Sequence, residues 1–496
     1  MGAHPDPLAV SSRGAGGVLL LGLDLGTSSA KALLLGEDGR AVGEGSASYP
    51  VRSPRPGWAE TSPEQWWDAV VEATKNAVGG HGARVAALGL SGQMHGVVLT
   101  DASGNPLRSA ILWADARSAE QLAAYSRLDE GARRRLANPP AVGMAGPSLL
   151  WLRDHEPHVY ASARWSLQPK DWLRGRLTGE VLAEPSDASA TLLYDLRSDG
   201  WDYPVVETLG LRPDLLAPLV ASGIIAGTLT RQAAEHLGLR PGLPVAAGAA
   251  DTAAAQLGGG LLRPGTVQLT VGTGAQIVVP KGVPEPDPYE RTHLYRAAAP
   301  DLWYSMAAIQ NAGLALEWVR GVLGVSWEEV YEEAFAVPPG AGGVAFLPYL
   351  SGERSPRFDP CARGAWTGLG LDHGRGHLLR AALEGVAFAL REGIEALEEA
   401  GTPVPELRLA GGGAASEPWR RMLADVLGRP LRPLPNAVAS VASARGAALL
   451  AGLASGFYRR AEDVPTPDPE RVITPGGGAY EAAYARYREL YPRLHA

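Results

Sequence analysis

The chain has 496 residues, of which 46% are apolar and 20% charged, and its formal net charge is −8. At about 100 to 200 residues per domain, that length predicts two or more domains with sizeable cores. The acidic balance argues against non-specific nucleic-acid binding, which needs a basic surface, and leaves local anion sites open.

In chain order, the first structured stretch is "VLLLGLDLGTSSAKALLLGEDG", two apolar runs around a Gly-Thr turn, which reads as a β-hairpin. A strand is expected in "RAVGEGSASYPV". "SPEQWWDAVVEATKNAV" has helical periodicity, with Ser62 as its N-cap and Pro63 at its first position. "VAALGLSG" reads as a buried strand. "GVVLTDASGNPLRSAILWADAR" reads as two strands around a Ser-Gly-Asn turn. "TAAAQL" after Asp251 forms a helix. "GTVQLTVGTGAQIVVP" then repeats the opening pattern. The second Gly-Thr pair, at Gly272, falls about half a chain after the first, at Gly26, so two similar domains are expected, each opening on a hairpin. Beyond it strands ("GGVAFLPYL", "ELRLAGGG") alternate with helices, which reads as α/β. A Pro-rich connector and a last helix close the chain.

Cys361 is the single cysteine, so no internal disulfide can form, which fits a reducing compartment. No apolar run approaches the roughly 20 residues that cross a bilayer. The first 17 residues lack signal-peptide order, and position 6 is Asp where a myristoylation motif wants Ser or Thr. Residues 1–17 read as a flexible tail, and the expected location is cytoplasmic.

Several short stretches suit chemistry. In "DLGTSS", glycine permits close backbone approach, successive N–H groups form an anion-binding concavity, and Thr27 and Ser28 add donors. Asp24 suits a divalent cation held through water. One such turn could be a plain polar hairpin; two, half a chain apart, could clamp a polyphosphate. "LRLAGGGAASEPWRRMLAD" runs from a strand through glycines into a helix, which suits either close packing or a nucleotide. Gln93, Met94 and His95 lie just beyond a strand, where open α/β sheets bind ligands. His95 could equally be structural. Asp251 could be a helix N-cap, worth about 1 kcal/mol, or a general base, worth roughly 100- to 10,000-fold in rate. The Ala and Gly around it leave room for a substrate. P-loop, dinucleotide and protein-kinase motifs are absent.

Together "DLGTSSAK", "GQMHG", "GAADTAAA", "TVGTGA", "SGERSP" and "GGGAASEPWRRMLAD" resemble, in order, the FGGY carbohydrate kinases. "GWAETSPEQWW", "ILWADAR" and "LQPKDWLRGRLTGE" are most similar to the xylulokinase branch, and "GAWTGLGLDHGRGHLLRAALE" is similar to the family's C-terminal signature. The resemblance runs from about residue 18 to the C-terminus. It implies two ribonuclease-H-like, actin-type domains around a cleft, with sugar binding in residues 18–258 and nucleotide binding in 259–496. It implies transfer of phosphate from ATP with Mg2+ to a sugar hydroxyl, O5 in the case of D-xylulose. By resemblance Asp251 is the catalytic base, Met94 and His95 bind the sugar, and Asp24 is associated with magnesium. Gly272 and Thr273 form the second phosphate hairpin, and Gly412, Gly413 and Ala414 hold the nucleotide, with Gly313 facing them. Family members are often dimers, so a homodimer belongs to the expectation; nucleic-acid and membrane partners do not.

The chain departs from the xylulokinase pattern at Thr252 (usually Asn, a sugar contact), Ala114 (usually Asn), Ala116 (often Gly), Ser148 (usually Lys) and Gly274 (usually Ser). These changes bear on which sugar is bound rather than on phosphate chemistry. Other readings are a kinase for another ketose or polyol, a weakly active sugar-binding relative, and an actin- or chaperone-like ATPase. The last would need neither "GQMHG" nor a carboxylate in "GAADTAAA".

Overall fold

The computed structural model describes residues 17–495, so nearly all of the expected N-terminal tail lies outside the described residues. Two mixed sheets carry the fold. The first contains β1 (Leu19–Leu25), β2 (Ser29–Leu35), β3 (Ala41–Ser48), β4 (Val85–Gly92), β5 (Ile225–Thr228) and β6 (Pro244–Ala246) in the order β5-β6-β4-β1-β2-β3; β7 (Ala249–Ala250) also pairs with β4. The second contains β8 (Gln268–Val271), β9 (Ala275–Lys281), β10 (His293–Arg296), β11 (Trp303–Ile309), β12 (Leu407–Ala410) and β13 (Leu431–Pro433), ordered β10-β11-β9-β8-β12-β13.

The two sheets share a plan. β1 pairs antiparallel with β2 and parallel with β4; β8 pairs antiparallel with β9 and parallel with β12. Each Gly-Thr turn joins the central strand of its sheet to an antiparallel neighbour. The duplicated hairpin pattern is thus a duplicated topology. The stretch around Ser103-Gly104-Asn105 has the expected two strands, Val98–Thr100 and Ala110–Ile111, about a turn that Asp101 closes by accepting the backbone N–H groups of Ser103 and Asn105. Only isolated bridges join the two strands, and their ladders are made with other segments.

Helix α1 (Pro63–Val78) starts at Ser62 with proline at its first turn and packs Trp66 and Val70 into the core under β2 and β3. The Ser62 side chain makes no capping bond. Helix α2 (Pro169–Thr178) lies beyond the carboxyl end of β4. Helix α3 (Asp251–Gly259) leaves β7 directly, α4 (Gly313–Leu323) follows β11, and α5 (Arg375–Glu399) forms the spine of the second core.

Helix α6 (Ala442–Ala454) comes from the far end of the chain, yet it packs against β1, β4 and α3. Glycines permit this approach. A Cβ on Gly22 would lie 1.9 Å from the Ala444 carbonyl oxygen, and one on Gly89 would lie 1.9 Å from that of Ala447. Where α3 crosses α6, a Cβ on Gly258 would stand 2.0 Å from the Ala442 oxygen and one on Gly446 1.8 Å from the Ala254 oxygen. Real Cβ atoms never sit so close, so the backbones touch only because side chains are missing. Arg445 fixes the crossing by donating to the carbonyls of Gly258, Gly39 and Pro465. Among the described residues no helix is long and apolar enough to cross a membrane.

Candidate active site

The first hairpin turn is closed by Gly26 N–H donating to the Ser29 carbonyl at 3.0 Å. Tyr49 and Gln93 both donate to the Gly26 carbonyl, and Trp113 Nε1 donates to Thr27 Oγ1 at 2.8 Å. Asp24, at the end of β1, accepts from Ser91 Oγ at 2.9 Å. Burial pushes its carboxyl above the ordinary range, against the opposing pull of Ser91 and Lys31. Ser28 is exposed at the tip of the turn.

The second turn is closed by Gly272 N–H donating to the Gly274 carbonyl at 2.8 Å. The first residues of α4 hold it from behind: Gly313 N–H donates to the Gly272 carbonyl and Leu314 N–H to that of Thr273. A Cβ on Gly313 would lie 2.4 Å from the Gly272 oxygen. Gly313 therefore packs on the second hairpin. The Gly412–Ala414 turn packs on the end of β8, where a Cβ on Gly413 would be 2.9 Å from Val271 Cγ1. Gly412 has open space around it.

Asp251 is the first residue of α3, whose N-cap is Ala250. The capping role expected of Asp251 is therefore not what its side chain does. Its Oδ1 accepts from the Thr252 N–H at 2.6 Å and from the Thr252 hydroxyl at 3.2 Å. Burial first, and the Asp24 charge second, raise its pKa to about 7. Asp24, Asp251 and Thr252 line one cavity of about 260 Å3. Thr270 and Gln276 of the second sheet line both it and a neighbouring cavity of about 570 Å3, which holds Gly272, Thr273 and Trp113. The two hairpins thus open onto adjoining cavities.

Met94 and His95 are buried, 5% and 7% exposed. His95 takes a left-handed backbone with φ 69°, uncommon for a residue with a side chain. Its Nδ1 lies 2.8 Å from the Ala190 carbonyl, which can only accept, so Nδ1 carries the proton. Burial and the nearby Arg354 charge lower its pKa to about 4, so the ring is neutral and Nε2 keeps a lone pair. Tyr304 lies between this pair and Asp251, with its hydroxyl 3.9 Å from Met94 Sδ and its own titration raised by burial first and in smaller part by the Asp251 charge. Gln93 braces the first hairpin through Nε2, while its Oε1 is buried without a partner among the described residues.

Sequence reasoning missed three features. Under the site, buried Lys170 meets Asp171 at 2.6 Å, Glu184 at 3.0 Å and Asp187 at 3.1 Å. Glu184 binds the Ser186 hydroxyl, and Ser186 Oγ accepts the N–H of Ala250 at 2.9 Å, one residue before Asp251. Arg354 stands 5.4 Å from the Trp113 ring, with no carboxylate in ion-pair range among the described residues. Gln256 faces the smaller cavity. A lysine beside an aspartate in "LQPKDWLRG" was the available signal for the first, and "SGERSP" holds Arg354; no local pattern marked Gln256.

Two carboxylates with hydroxyl and amide neighbours are hard oxygen donors, the set that suits magnesium, and among the described residues no cluster of three His, Cys, Asp or Glu offers a different metal site. Models of the FGGY family of carbohydrate kinases match residues 19–258 (N-terminal domain) and 267–455 (C-terminal domain). The chain belongs to the FGGY family of carbohydrate kinases. This FGGY kinase is 36% identical to a xylulose kinase of Escherichia coli strain K12 over 96% of its own length and 98% of that protein. It is 34% identical to a xylulose kinase of Bacillus subtilis, covering 95% of each chain. Its structure matches that of a xylulose kinase from Rhodospirillum rubrum with a TM-score of 0.87 and 32% identity, over 96% of this chain and 99% of the other. Family membership sets aside the actin- or chaperone-like ATPase reading, and it implies ATP as the phosphate donor for this FGGY kinase.

Proposed function

We propose that this kinase transfers the γ-phosphate of ATP to O5 of D-xylulose. The observation that carries the reading is Asp251, a carboxylate with a pKa near neutrality on a cavity between two phosphate-type hairpins. The names of the most similar relatives support the sugar.

Phosphoryl transfer needs alignment and charge stabilisation more than covalent help. Asp251 takes the hydroxyl proton as O5 bonds to the γ-phosphorus and the bond to the leaving ADP breaks. Backbone N–H groups of the two turns, with Thr27 and Thr273, face the phosphates, while the strand-to-helix turn at Gly412 and Gly413 leaves open backbone for the nucleotide. Bound magnesium would neutralise phosphate charge, with Asp24 holding it through water. His95 Nε2 accepts a sugar hydroxyl, and Met94 packs against the carbon chain. Thr252, where related kinases carry Asn, bonds to the base itself and leaves sugar contact to its methyl group. The same reading assigns sugar binding to residues up to about 258 and nucleotide binding to those after, and takes the protein as a cytoplasmic homodimer.

Sugar-dependent ADP release, with magnesium, across a panel of ketoses and polyols tests the proposal. The highest kcat/KM is expected for D-xylulose. A better polyol or another ketose would overturn the substrate, and no response to any sugar would overturn the reaction.

A further inference from the structure

Gln256 lies five residues beyond Asp251 on α3 and lines the same 260 Å3 cavity. It is 3% exposed, and neither its amide oxygen nor its amide nitrogen has a hydrogen-bond partner among the described residues. A carboxamide offers two donors and an acceptor with two lone pairs. Native structures meet nearly all such buried needs, because an unmet group loses its hydration and regains nothing. Gln268 on β8 repeats the pattern on the same wall. Its Nε2 donates to Thr270 Oγ1 at 3.0 Å, while its Oε1 is buried without a partner. Because both side chains line the cavity, a group that fills it can supply these partners.

The occupant has to satisfy amide acceptors and amide donors beside the carboxylates of Asp24 and Asp251. A bare cation would need more charged ligands than these two. A nucleotide-bound, hydrated divalent cation fits, since magnesium keeps several waters and takes only one or two carboxylates. Metal-bound waters donate to the amide oxygens, and the phosphate oxygens beside the cation accept from the Gln256 amide nitrogen. Met94 and His95 are not on this wall, whereas Thr270, at the base of the second phosphate hairpin, is. We propose that Gln256 and Gln268 form an amide shelf that holds the water shell of the nucleotide-bound divalent cation. Being neutral, the shelf orders those waters without adding charge next to Asp251. The inference rests on the kinase reading above.

The test uses the full-length protein with Mn2+ and ADP as the probe, following bound Mn2+ by electron paramagnetic resonance. Gln256→Met keeps the side-chain length and removes both polar atoms. Its Mn2+ affinity in the ADP complex should fall about 10-fold or more, as when outer-shell partners of metal ligands are removed. Affinity for ADP without metal should hold, and the melting temperature of the unliganded variant should not fall, because an unmet polar group has been taken out. Gln268→Leu should weaken Mn2+ in the same direction, and it carries the test if Gln256→Met does not fold. Wild-type Mn2+ affinity in both variants would overturn the shelf while leaving the kinase reading intact. A wild-type protein that binds no Mn2+ with ADP would overturn both.

Discussion

Asp24 on β1 and Asp251, at the start of α3 just after β7, face one cavity from the same sheet, and the charge on Asp24 helps hold Asp251 at a pKa of about 7. A carboxylate in that range can take a proton at neutral pH and release it again, which one near pH 4 does less well.

Replacing Asp251 with Asn separates chemistry from helix geometry. Turnover should fall roughly 100- to 10,000-fold, the usual worth of a general base. The melting temperature should behave differently. The folded pKa of Asp251 lies above that of an ordinary carboxylate, so its contribution to stability is complete only below about pH 4 and is lost progressively as pH rises to about 7. The variant cannot ionise, so it should melt higher than wild type at about pH 8, by less at about pH 5, and close to it at about pH 3. Retained turnover would sink the assignment.

The pH profile of kcat/KM should fall on the acid side around pH 7 as Asp251 protonates. Thr252→Val keeps the backbone N–H and deletes the hydroxyl that favours the charged carboxylate. Its acid limb should move to higher pH. A shift to lower pH, or none, would mean that the hydroxyl does not act on the base.

His95→Asn tests the sugar pocket without straining the backbone, since Asn tolerates the left-handed conformation. The KM for the sugar should rise about tenfold, as expected for losing one well-placed hydrogen bond. The KM for ATP should stay as it is; a matching rise would point to a collapsed cleft instead.

The glycine crossing predicts a sharp contrast in stability. Gly446→Ala would push a methyl group to 1.8 Å from the Ala254 carbonyl oxygen, with backbone on both sides and nothing flexible to move. A loss of about 1–3 kcal/mol or more is expected in denaturant unfolding. Gly80→Ala, with open space around it, should stay within about 0.5 kcal/mol of wild type.

Both hairpins were legible because turn chemistry is local: Gly26-Thr27 and Gly272-Thr273 each stand between apolar runs of strand length. The start of α3 was legible for the same reason, although the residue that caps it is Ala250 rather than Asp251. What stayed hidden depends on distant neighbours. Lys170 meets Glu184 and Asp187 only once α2 is packed beneath β4, and nothing near Gln256 in "TAAAQL" shows that its amide will lack a partner. That the missing side chain of Gly313 makes room for the Gly272 carbonyl was likewise invisible in sequence. The short strands around Ser103-Gly104-Asn105 pair with remote segments, which alternation in sequence cannot reveal.

The place of α6 has a consequence for synthesis. The apolar faces of β1 and β4, made among the first hundred residues, are covered by Ala444, Ala448 and Ala451, made some 350 residues later. During translation the leading half of the chain leaves the ribosome with that face bare, and an exposed apolar sheet face is a site for misassembly. A ribosome stalled before residue 442 should therefore present a protease-sensitive first half. The same half should become resistant once residues 442–454 have emerged.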